Sequence, residues 1–407
     1  MLEVISPEEV LRLVEREFFG YRTEKETVPL DCARGRVLAE EIRAGEYVPG
    51  FDRSTVDGYA VRARDTFGCS DSLPAILELA GEVRMGQGQD GSLAPGSCMQ
   101  VPTGGAIPAG ADAMVMVEYS EDYGDGTVGI LKPAAPGQNL IFKGDDVKPD
   151  QVVLPAGHRL EAHDIGALAA LGVTRVPVWA RPLVGIISTG DELIPAEQSP
   201  AGGQIRDVNS HMLAAAVEEW GCRVRCVGIL KDEEALLADA VEQLTEECDL
   251  VLISGGSSVG SKDATCRVLE CLGEVLFHGI AMKPGKPTIL GRVKGRAVMG
   301  LPGHPVAAYF VSHLFVRPLA AGLMGRQLRR FRVSALLAET VPANHGRAQY
   351  TGVRLERRED GLIARPVHSK SGLITTLAGT EGYLCVPRDC EGLAAGSRVE
   401  ITLYSID

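Results

Sequence analysis

The 407-residue sequence is longer than a single hydrophobic core usually serves, so we expect about two to four domains. Hydrophobic residues make up 45% and charged residues 23% of the chain, which is typical of a folded globular protein and argues against disorder. The formal net charge of −13 argues against a general nucleic-acid binder, so any anionic ligand must be met by local cations.

The cysteines and the N-terminus indicate a cytoplasmic protein with no membrane segment. The closest cysteine pairs, Cys222/Cys226 and Cys266/Cys271, lack the C-x-x-C spacing of zinc or redox sites, which favours reduced thiols. The first residues are acidic and lack the apolar core of a signal peptide.

The first predicted element is a helix that starts near residue 7. Ser6, Pro7 and Glu9 are a cap, a first-turn proline and a capping-box glutamate. One apolar stripe follows at helical spacing: Val10, Leu11, Val14 and Phe18.

The next part of the chain, residues 48–144, predicts a small, mostly β domain. It is rich in Gly, Pro and Asp and contains short β-like runs such as AILELAGEV and AMVMVEY. A short helix near EAHDIGALAALG, with Gly172 as its C-terminal cap, and the strand VTRVPVW come after it. We expect residues 145–180 to pack with residues 1–47 as one discontinuous domain.

Residues 181–326 alternate between strands and helices. The strands LVGIIS, VRCVGIL, LVLIS and AVMGL are almost uniformly apolar, which predicts an α/β sheet, doubly wound and mostly parallel, covered on both faces. We expect Asn209 or Ser210 to cap NSHMLAAAVEEWG and Asp232 to cap DEEALLADAVEQL. The apolar stretch PVAAYFVSHLFV predicts a core helix, and residues 327–407 predict a C-terminal β domain.

The loops that follow these strands should form a binding site, because ligands collect beyond the carboxyl ends of the strands of an open α/β sheet. The GGSSVG loop can bring backbone N–H groups close to a phosphate at the start of a helix. It fits neither the dinucleotide nor the P-loop pattern, and a plain tight turn is the alternative. The candidate residues are Gly255, Gly256, Ser258 and Gly260.

The KPGKP segment predicts an anion site. Lys283 and Lys286 lie in a loop that Pro284 and Pro287 stiffen and Gly285 bends, so the two ammonium groups lose little freedom on binding. A solvated charged turn is the alternative.

Acidic residues occur in the same set of loops, at Asp191, Glu192, Asp232 and Asp263. Carboxylates beside phosphate-binding lysines suit Mg²⁺, which takes oxygen ligands from both protein and phosphate. Helix capping is the alternative for Asp232 and Asp263.

Two polar segments of the second domain, VPGFDRSTVDGYAVR and PTGGAIPAGAD, are too dense in functional groups for ordinary surface loops. Residue chemistry alone assigns them no role.

Several motifs together resemble one known family, in the same order along the chain: FDRSTVDGYAV, PTGGAIPAGADAMV, GDD at 144–146, STGDEL, GGSSVG, MKPGKP and GLPGHPV. By this resemblance the chain is identified as a member of the molybdopterin molybdenumtransferases, the MoeA and gephyrin E-domain family. The resemblance implies insertion of molybdate into adenylylated molybdopterin, with Mg²⁺ as cofactor and AMP as product. It also implies an elongated homodimer of four-domain subunits, whose α/β domain is similar to that of the molybdopterin adenylyltransferases.

The resemblance assigns roles by motif. The active cleft would lie between the α/β domain of one subunit and the second domain of its partner, which contributes Asp57, Thr103 and Asp146. The acidic rim, at which Glu192 and Asp263 hold Mg²⁺, would comprise Asp191, Glu192, Asp232 and Asp263. The pocket for the terminal phosphate, dithiolene or oxyanion would be shaped by Lys283, Lys286, Pro302, Pro305 and Ser371. Of these residues, Asp57, Asp263, Lys283 and Lys286 would be catalytic.

Three positions depart from the family pattern. Gly279 and Gly352 stand where many members carry basic residues, and His304 stands where asparagine is usual. Arg354 or Lys370 would compensate for the missing cations if it reached the site. These departures affect the expected choice between molybdate and tungstate as the substrate. One alternative to an active molybdenumtransferase is therefore a catalytically weakened scaffold of the same fold. A second alternative is that the chain is itself a molybdopterin adenylyltransferase. If it is a molybdenumtransferase, its candidate protein partners are a molybdopterin adenylyltransferase and molybdoenzyme apoproteins.

Overall fold

The computed structural model divides into two compact units. Its described residues are 4–87, 92–255, 261–328, 330–344, 346–359, 361–368 and 370–405, with only the backbone described for 261–263. The larger unit contains the described parts of residues 1–40, 157–161 and 175–407, and the smaller unit contains those of 41–156 and 162–174. The four domain boundaries inferred from the sequence stay a prediction.

The chain begins with helix α1, Pro7–Phe18, as predicted. The Ser6 hydroxyl accepts a hydrogen bond from the Glu9 N–H (3.2 Å), and the Glu9 carboxylate accepts one from the Ser6 N–H (2.7 Å). This capping box satisfies two backbone donors that a helix start leaves free. Val10, Val14 and Phe18 are buried in the core of the larger unit. Strand β1, Lys25–Pro29, and a 3₁₀ turn, Leu30–Cys32, follow.

The smaller unit is mostly β structure. Its strands are β2 Ile42–Arg43, β3 Arg53–Ser54, β4 Gly58–Val61, β5 Ala75–Glu82, β6 Ser97–Val101, β7 Ala113–Met116, β8 Ser120–Asp122, β9 Thr127–Ile130, β10 Leu140–Ile141 and β11 Val152–Leu154. Six strands form one sheet in the order β7-β4-β6-β5-β9-β8, and two short ladders pair β3 with β10 and β2 with β11. Two 3₁₀ turns, Ala63–Thr66 and Val117–Tyr119, and helix α2, Ala162–Ala170, complete the unit.

The central sheet of the larger unit has six strands. The strands of this region are β12 Arg175–Trp179, β13 Leu183–Thr189, β14 Leu193–Ile194, β15 Ile205–Arg206, β16 Arg223–Leu230, β17 Leu250–Gly255, β18 Gly273–His278, β19 Met282–Lys283, β20 Ile289–Val293 and β21 Arg296–Leu301. The sheet order is β16-β13-β17-β21-β20-β18, with parallel pairing among the first four strands and antiparallel pairing in the rest. β12 pairs with β1, and β14 pairs with β15.

Helices cover both faces of this sheet, as the apolar strands predict. The helices are α3 Asn209–Glu219, α4 Glu234–Glu247, α5 Ser261–Leu272, α6 Pro305–Val311 and α7 Arg317–Leu323, with π-helical residues Ser312–Val316 between the last two. Along β17, Leu250 and Leu252 belong to the core beneath α1, α3 and α6, whereas Val251 and Ile253 belong to the core beneath α4 and α5. Successive strand residues therefore fill opposite cores.

Both helix caps predicted for this region are wrong. The Asp207 carboxylate, not Asn209 or Ser210, accepts the hydrogen bond at the start of α3, from the Ser210 N–H (3.1 Å). Glu233 precedes α4, and no side chain caps that helix. Asp232 instead contacts Thr189 at the end of β13.

Residues Pro305–Leu323 form one helix that is long and apolar enough to cross a membrane by length and composition alone. Of the 18-residue apolar window in this helix, 83% is buried within the protein. That burial is typical of a core helix and agrees with the predicted interpretation of this stretch.

The C-terminal region forms a closed β-barrel. Its strands are β22 Arg332–Leu337, β23 Val341–Pro342, β24 Ala348–Arg358, β25 Gly361–Pro366, β26 Gly382–Val386, β27 Gly392–Leu393 and β28 Arg398–Leu403, with a 3₁₀ turn at Ile374–Thr376. Pairing runs from β24 through β25, β22, β28 and β26 back to β24. β19, at the start of the KPGKP loop, adds to β24 in parallel.

Candidate active site

Two adjoining cavities lie at the carboxyl ends of the central strands in the larger unit. The strand-end cavity, about 520 Å³, is lined by Gly255 and Glu192 and by Pro305 at the start of α6. The lysine cavity, about 680 Å³, is lined by the KPGKP loop and by part of the barrel. Both cavities include Gly303 and His304, so they meet at the PGHP loop.

Asn209 is a polar residue of the strand-end cavity that sequence reasoning assigned only to a helix start. Its side chain is buried, and its amide nitrogen donates to the Ser254 hydroxyl (2.7 Å) and to the Gly303 carbonyl (2.8 Å). Its amide oxygen has no partner among the residues that the structure describes. An unpaired buried acceptor is costly, and this one belongs to a residue that lines the strand-end cavity.

The lysine cavity brings together four of the predicted residues: Lys283, Lys286, Pro302 and Ser371. Arg347, His368 and Lys370 line the same cavity and add cationic or titratable groups. The sequence analysis missed Arg347. It lies in a loop before β24 with no motif around it, and only the pairing of β19 with β24 brings that loop to the lysines.

The backbone of the KPGKP loop is fixed, although both lysine side chains are exposed. The Ile280 N–H donates to the Lys286 carbonyl (2.9 Å), and the buried Thr288 hydroxyl donates to the Gly285 carbonyl (2.8 Å). In the described part of the chain, the two lysine ammonium groups have neither hydrogen-bond nor ion-pair partners. The loop therefore presents two positioned cations that are available to an anion.

Gly285 is required by the shape of this loop. Its φ is +121°, a region that residues with a side chain rarely adopt. An added Cβ would lie 2.7 Å from Cγ2 of Val311 and 3.1 Å from the sulfur of Met282.

Ser371 and His304 connect the barrel to the PGHP loop. The Ser371 hydroxyl is 2.8 Å from Nδ1 of His304, and the Val306 N–H at the start of α6 donates to the Ser371 carbonyl (3.1 Å). His304 thus makes a hydrogen bond at the junction of the two cavities.

The acidic rim is close-packed at Asp191 and Asp232. The Asp232 N–H donates to the Asp191 carboxylate (3.4 Å). Burial, and then the neighbouring charges of Asp191 and Glu192, raise the pKa of the Asp232 carboxyl above its usual value. Glu192 lines the strand-end cavity, whereas Asp191 and Asp232 line neither cavity. Among the described side chains, no three potential ligands group as a metal site.

Four predicted residues lie wholly or partly outside the described part of the chain. They are Gly256, Ser258, Gly260 and Asp263, of which only Asp263 has a described backbone, at the start of α5.

In the smaller unit, the two polar segments pack on each other. The Asp57 carboxylate accepts a hydrogen bond from the Thr103 N–H (2.8 Å). The Asp52 carboxylate accepts one from the Lys143 N–H (2.7 Å), in the loop that continues to Asp146, whose side chain is exposed. The unit thus joins Asp57 directly to Thr103.

Gly279 and Gly352 have different surroundings. Gly279 has φ +109°, where a side chain would be strained. Gly352 lines the lysine cavity, and an added Cβ would lie 2.9 Å from Cδ2 of Leu377. Lys370 lines the cavity, whereas Arg354 does not and donates to the Ala378 carbonyl (3.3 Å).

An open α/β sheet with paired lysines beside its strand ends, followed by a closed barrel, defines a class of protein suited to bind anionic ligands. Family models match almost the whole chain. Residues 5–172 match the MoeA N-terminal region (domain I and II), residues 185–322 a probable molybdopterin binding domain, and residues 334–404 the MoeA C-terminal region (domain IV).

Known proteins are similar over comparable lengths. The molybdopterin molybdenumtransferase of Bacillus subtilis is 33% identical, over 99% of this chain and 95% of its own. That of Haemophilus influenzae is 38% identical over 76% of both chains. The crystal structure of the molybdopterin biosynthesis MoeA protein of Pyrococcus horikoshii has 36% identity and a TM-score of 0.86, covering 99% of this chain and 100% of its own.

The chain belongs to the MoeA family of molybdopterin molybdenumtransferases. It acts in molybdenum cofactor biosynthesis as a molybdopterin molybdenumtransferase, so the predicted family, fold class and enzyme activity are confirmed. The alternative of a molybdopterin adenylyltransferase leaves the matched N-terminal and C-terminal MoeA regions without a role.

Proposed function

We propose that this enzyme inserts molybdate into adenylylated molybdopterin in a Mg²⁺-dependent reaction that releases AMP. The observation that supports this most strongly is the junction of the lysine cavity and the strand-end cavity at Gly303 and His304. One elongated ligand can therefore contact the paired lysines at one end and the strand ends at the other.

Lys283 and Lys286 bind and orient the anionic groups, since molybdate and the nucleotide phosphates both carry negative charge. The fixed loop holds these cations where charge develops as the phosphoanhydride bond breaks, so little reorganisation is needed during the reaction. The Ser371 hydroxyl, placed by His304, supplies a polar contact at the junction.

Oxygen donors at the acidic rim suit a hard cation such as Mg²⁺. Burial, and then the negative charges of Asp191 and Glu192, raise the pKa of Asp232, and a divalent cation would offset that crowded charge. We assign Mg²⁺ to Glu192 and Asp263, with Asp191 and Asp232 beside it. When bound, the ion would neutralise negative charge on the phosphate groups.

Arg347 and Lys370 supply cations to the lysine cavity, in which Gly352 stands in place of the family's basic residue. We propose molybdate, with tungstate as the alternative oxyanion, because both are tetrahedral dianions that such a cavity could bind.

We also propose that the protein is a homodimer whose active clefts combine Lys283 and Lys286 of one subunit with Asp57, Thr103 and Asp146 of the other. The support is the family resemblance and the dense polarity of the paired loops around Asp57. A molybdopterin adenylyltransferase would deliver the substrate, and molybdoenzyme apoproteins would accept the product.

The proposal is tested by incubating the purified protein with adenylylated molybdopterin and Mg²⁺, with either molybdate or tungstate, and measuring AMP by chromatography. We expect AMP release that requires both Mg²⁺ and molybdate. Release with tungstate alone would reassign the oxyanion. Ligand binding without AMP release for either oxyanion would favour the catalytically weakened scaffold.

A further inference from the structure

A third cavity, of about 580 Å³, lies in the larger unit and shares no lining residue with the two cavities of the active site. We call it the arginine cavity. It is formed where the end of α3, the start of α7, the link from α7 to β22 and the end of β28 come together. Its charged lining residues are Arg34, Arg159, Glu161, Glu219, Arg317, Arg326 and Arg330.

The cavity therefore has five arginines and two glutamates, in a chain with 54 acidic and 41 basic residues. The arginines come from segments that are far apart in sequence: residues 34 and 159, the helix at 317, and the link at 326 and 330. The fold collects them, so they are not one charged surface run. Arginine keeps its charge at any physiological pH.

Among the described residues these arginines form no ion pair, although the nearby charges of Glu219 and Glu161 partly offset those of Arg317 and Arg326. Arg317 donates to the Tyr404 carbonyl (3.1 Å) and lies 3.2 Å from Nε2 of His313, and neither group is anionic. By contrast, Arg36 pairs with Glu26, and Arg332 pairs with Glu400 at 2.9 Å.

Two pKa shifts follow from the burial of these cationic groups and from their mutual repulsion. Burial, and then the charges of Arg159 and Arg317, lower the pKa of Arg326. Burial, and then the charges of Arg317 and Arg330, lower the pKa of His313 to about 3, so this buried histidine is neutral at physiological pH. Partly buried guanidinium groups that repel one another are stabilised when an anion binds between them.

The size and the remaining walls indicate the ligand class. A volume of about 580 Å³ falls in the range of small-molecule sites. Several guanidinium forks suit several phosphate groups, since each fork can bind two oxygens. Trp220 and Phe331 also line the cavity, and Phe331 is 46% exposed, so an aromatic surface is available beside the cations.

We propose that the arginine cavity is a second anion site, separate from the active site, that binds a small molecule with two or more phosphate groups. The ligand is either an inorganic polyphosphate chain or a nucleoside triphosphate, and the two share the phosphate chemistry that the arginines recognise. The site is independent of the roles proposed for Lys283 and Lys286.

The test measures binding of tripolyphosphate and of ATP to the full-length protein by isothermal titration calorimetry, with EDTA present. The test variant is the double substitution Arg159→Gln/Arg326→Gln. Arg332→Gln is the matched control, because Arg332 is paired with Glu400 on the surface. Lys283→Ala/Lys286→Ala removes the cations of the lysine cavity and identifies phosphate bound there instead. Circular dichroism and thermal unfolding check that each variant is folded.

We expect both probes to bind the wild type, the Arg332 control and the double lysine variant with similar dissociation constants. We expect Arg159→Gln/Arg326→Gln to weaken binding by about tenfold or more, because charge-assisted hydrogen bonds are lost. Tighter binding of ATP than of tripolyphosphate, with fluorescence quenching that Trp220→Phe removes, would identify the nucleotide. Equal affinities would identify the phosphate chain alone.

Two results would overturn the proposal. One is binding that the double lysine variant abolishes and the double arginine variant leaves intact. The other is no binding of either probe to the wild type, which would indicate that the arginines bind an acidic segment of a protein partner instead.

Discussion

At the scale of single residues, Lys283 and Lys286 could be predicted because the five consecutive residues of KPGKP contain both cations and the residues that shape their loop. Prolines stiffen the loop, glycine bends it, and the two cations stand on either side of Gly285. Arg347 and Asn209 could not be found in this way. Each is an isolated polar residue whose role depends on what the fold brings next to it, β19 for Arg347 and the Gly303 carbonyl for Asn209.

Replacing Lys283 tests the role of the paired cations. We expect Lys283→Ala to raise the KM for molybdate by about tenfold to hundredfold, since a hydrogen bond to a charged group is lost. The measurement is AMP release against molybdate concentration. Lys294→Ala is the matched control, because that ammonium is paired with Glu242 (3.0 Å) and Glu246 (2.6 Å) away from the cavity. An unchanged KM in Lys283→Ala would contradict this role.

The raised pKa of Asp232 predicts a pH-dependent stability. The folded chain binds the Asp232 proton more tightly than the unfolded chain does, so the ionised carboxylate opposes folding at neutral pH. This penalty shrinks as the pH falls below the folded-state pKa and is gone below the unfolded-state pKa. In the absence of Mg²⁺, Asp232→Asn should therefore raise the Tm at neutral pH, and the gain should shrink in acidic buffer.

Thermal unfolding across this pH range measures the effect, with the exposed Asp239→Asn on α4 as the control. Mg²⁺ should raise the Tm of the wild type more than that of Asp232→Asn. Equal Tm values for wild type and Asp232→Asn at neutral pH would show that the crowded carboxylates do not strain the fold.

At the scale of elements, the sequence predicts most of what local patterns can specify. The apolar strands β13, β17 and β21 and the capping box of α1 follow from periodicity and residue type. The starts of α3 and α4 do not. Asp207 caps α3 because Asn209 is turned to Ser254, and Asp232 is engaged with Thr189, so tertiary contacts override the local capping preference.

The KPGKP loop allows a test of backbone shape separately from charge. Gly285→Ala should lower the free energy of unfolding by about 1–3 kcal/mol, because a residue with a side chain is forced to φ +121° and its Cβ meets Val311. It should also raise the KM for molybdate, since the lysines move.

Urea denaturation and AMP release measure these two effects of Gly285→Ala. Gly202→Ala is the control, because no atom lies within 4 Å of the added Cβ and its φ is not positive. If Gly285→Ala were as stable and active as that control, the loop would not depend on the glycine.

At the scale of the whole molecule, the order of motifs along the chain predicts the family, and the alternation of strands and helices predicts the sheet. The cavities are harder to predict, because their walls come from distant segments. The lysine cavity needs the barrel beside the α/β sheet, and the arginine cavity needs residues from 34 to 405. Neither cavity corresponds to a regular spacing of residues in the sequence that could have predicted it.

Mixed dimers test the proposed sharing of residues between subunits. Asp57→Asn and Lys283→Ala subunits, each impaired as a homodimer at low molybdate concentration, should regain activity there when co-expressed, because one cleft of the mixed dimer then has both native residues. Sedimentation confirms the dimer, and AMP release reports activity. No recovery in a verified mixed dimer would mean that both residues act within the same subunit.

The central claim is that the lysine and strand-end cavities form one continuous site. The most direct test is a crystal structure of the protein with adenylylated molybdopterin and tungstate. Tungstate is chosen because the heavy tungsten atom is easily located in an electron-density map. We predict ligand density that passes Gly303 and His304, with its anionic end within hydrogen-bond distance of Lys283 or Lys286. Density that lies outside both cavities would contradict the account.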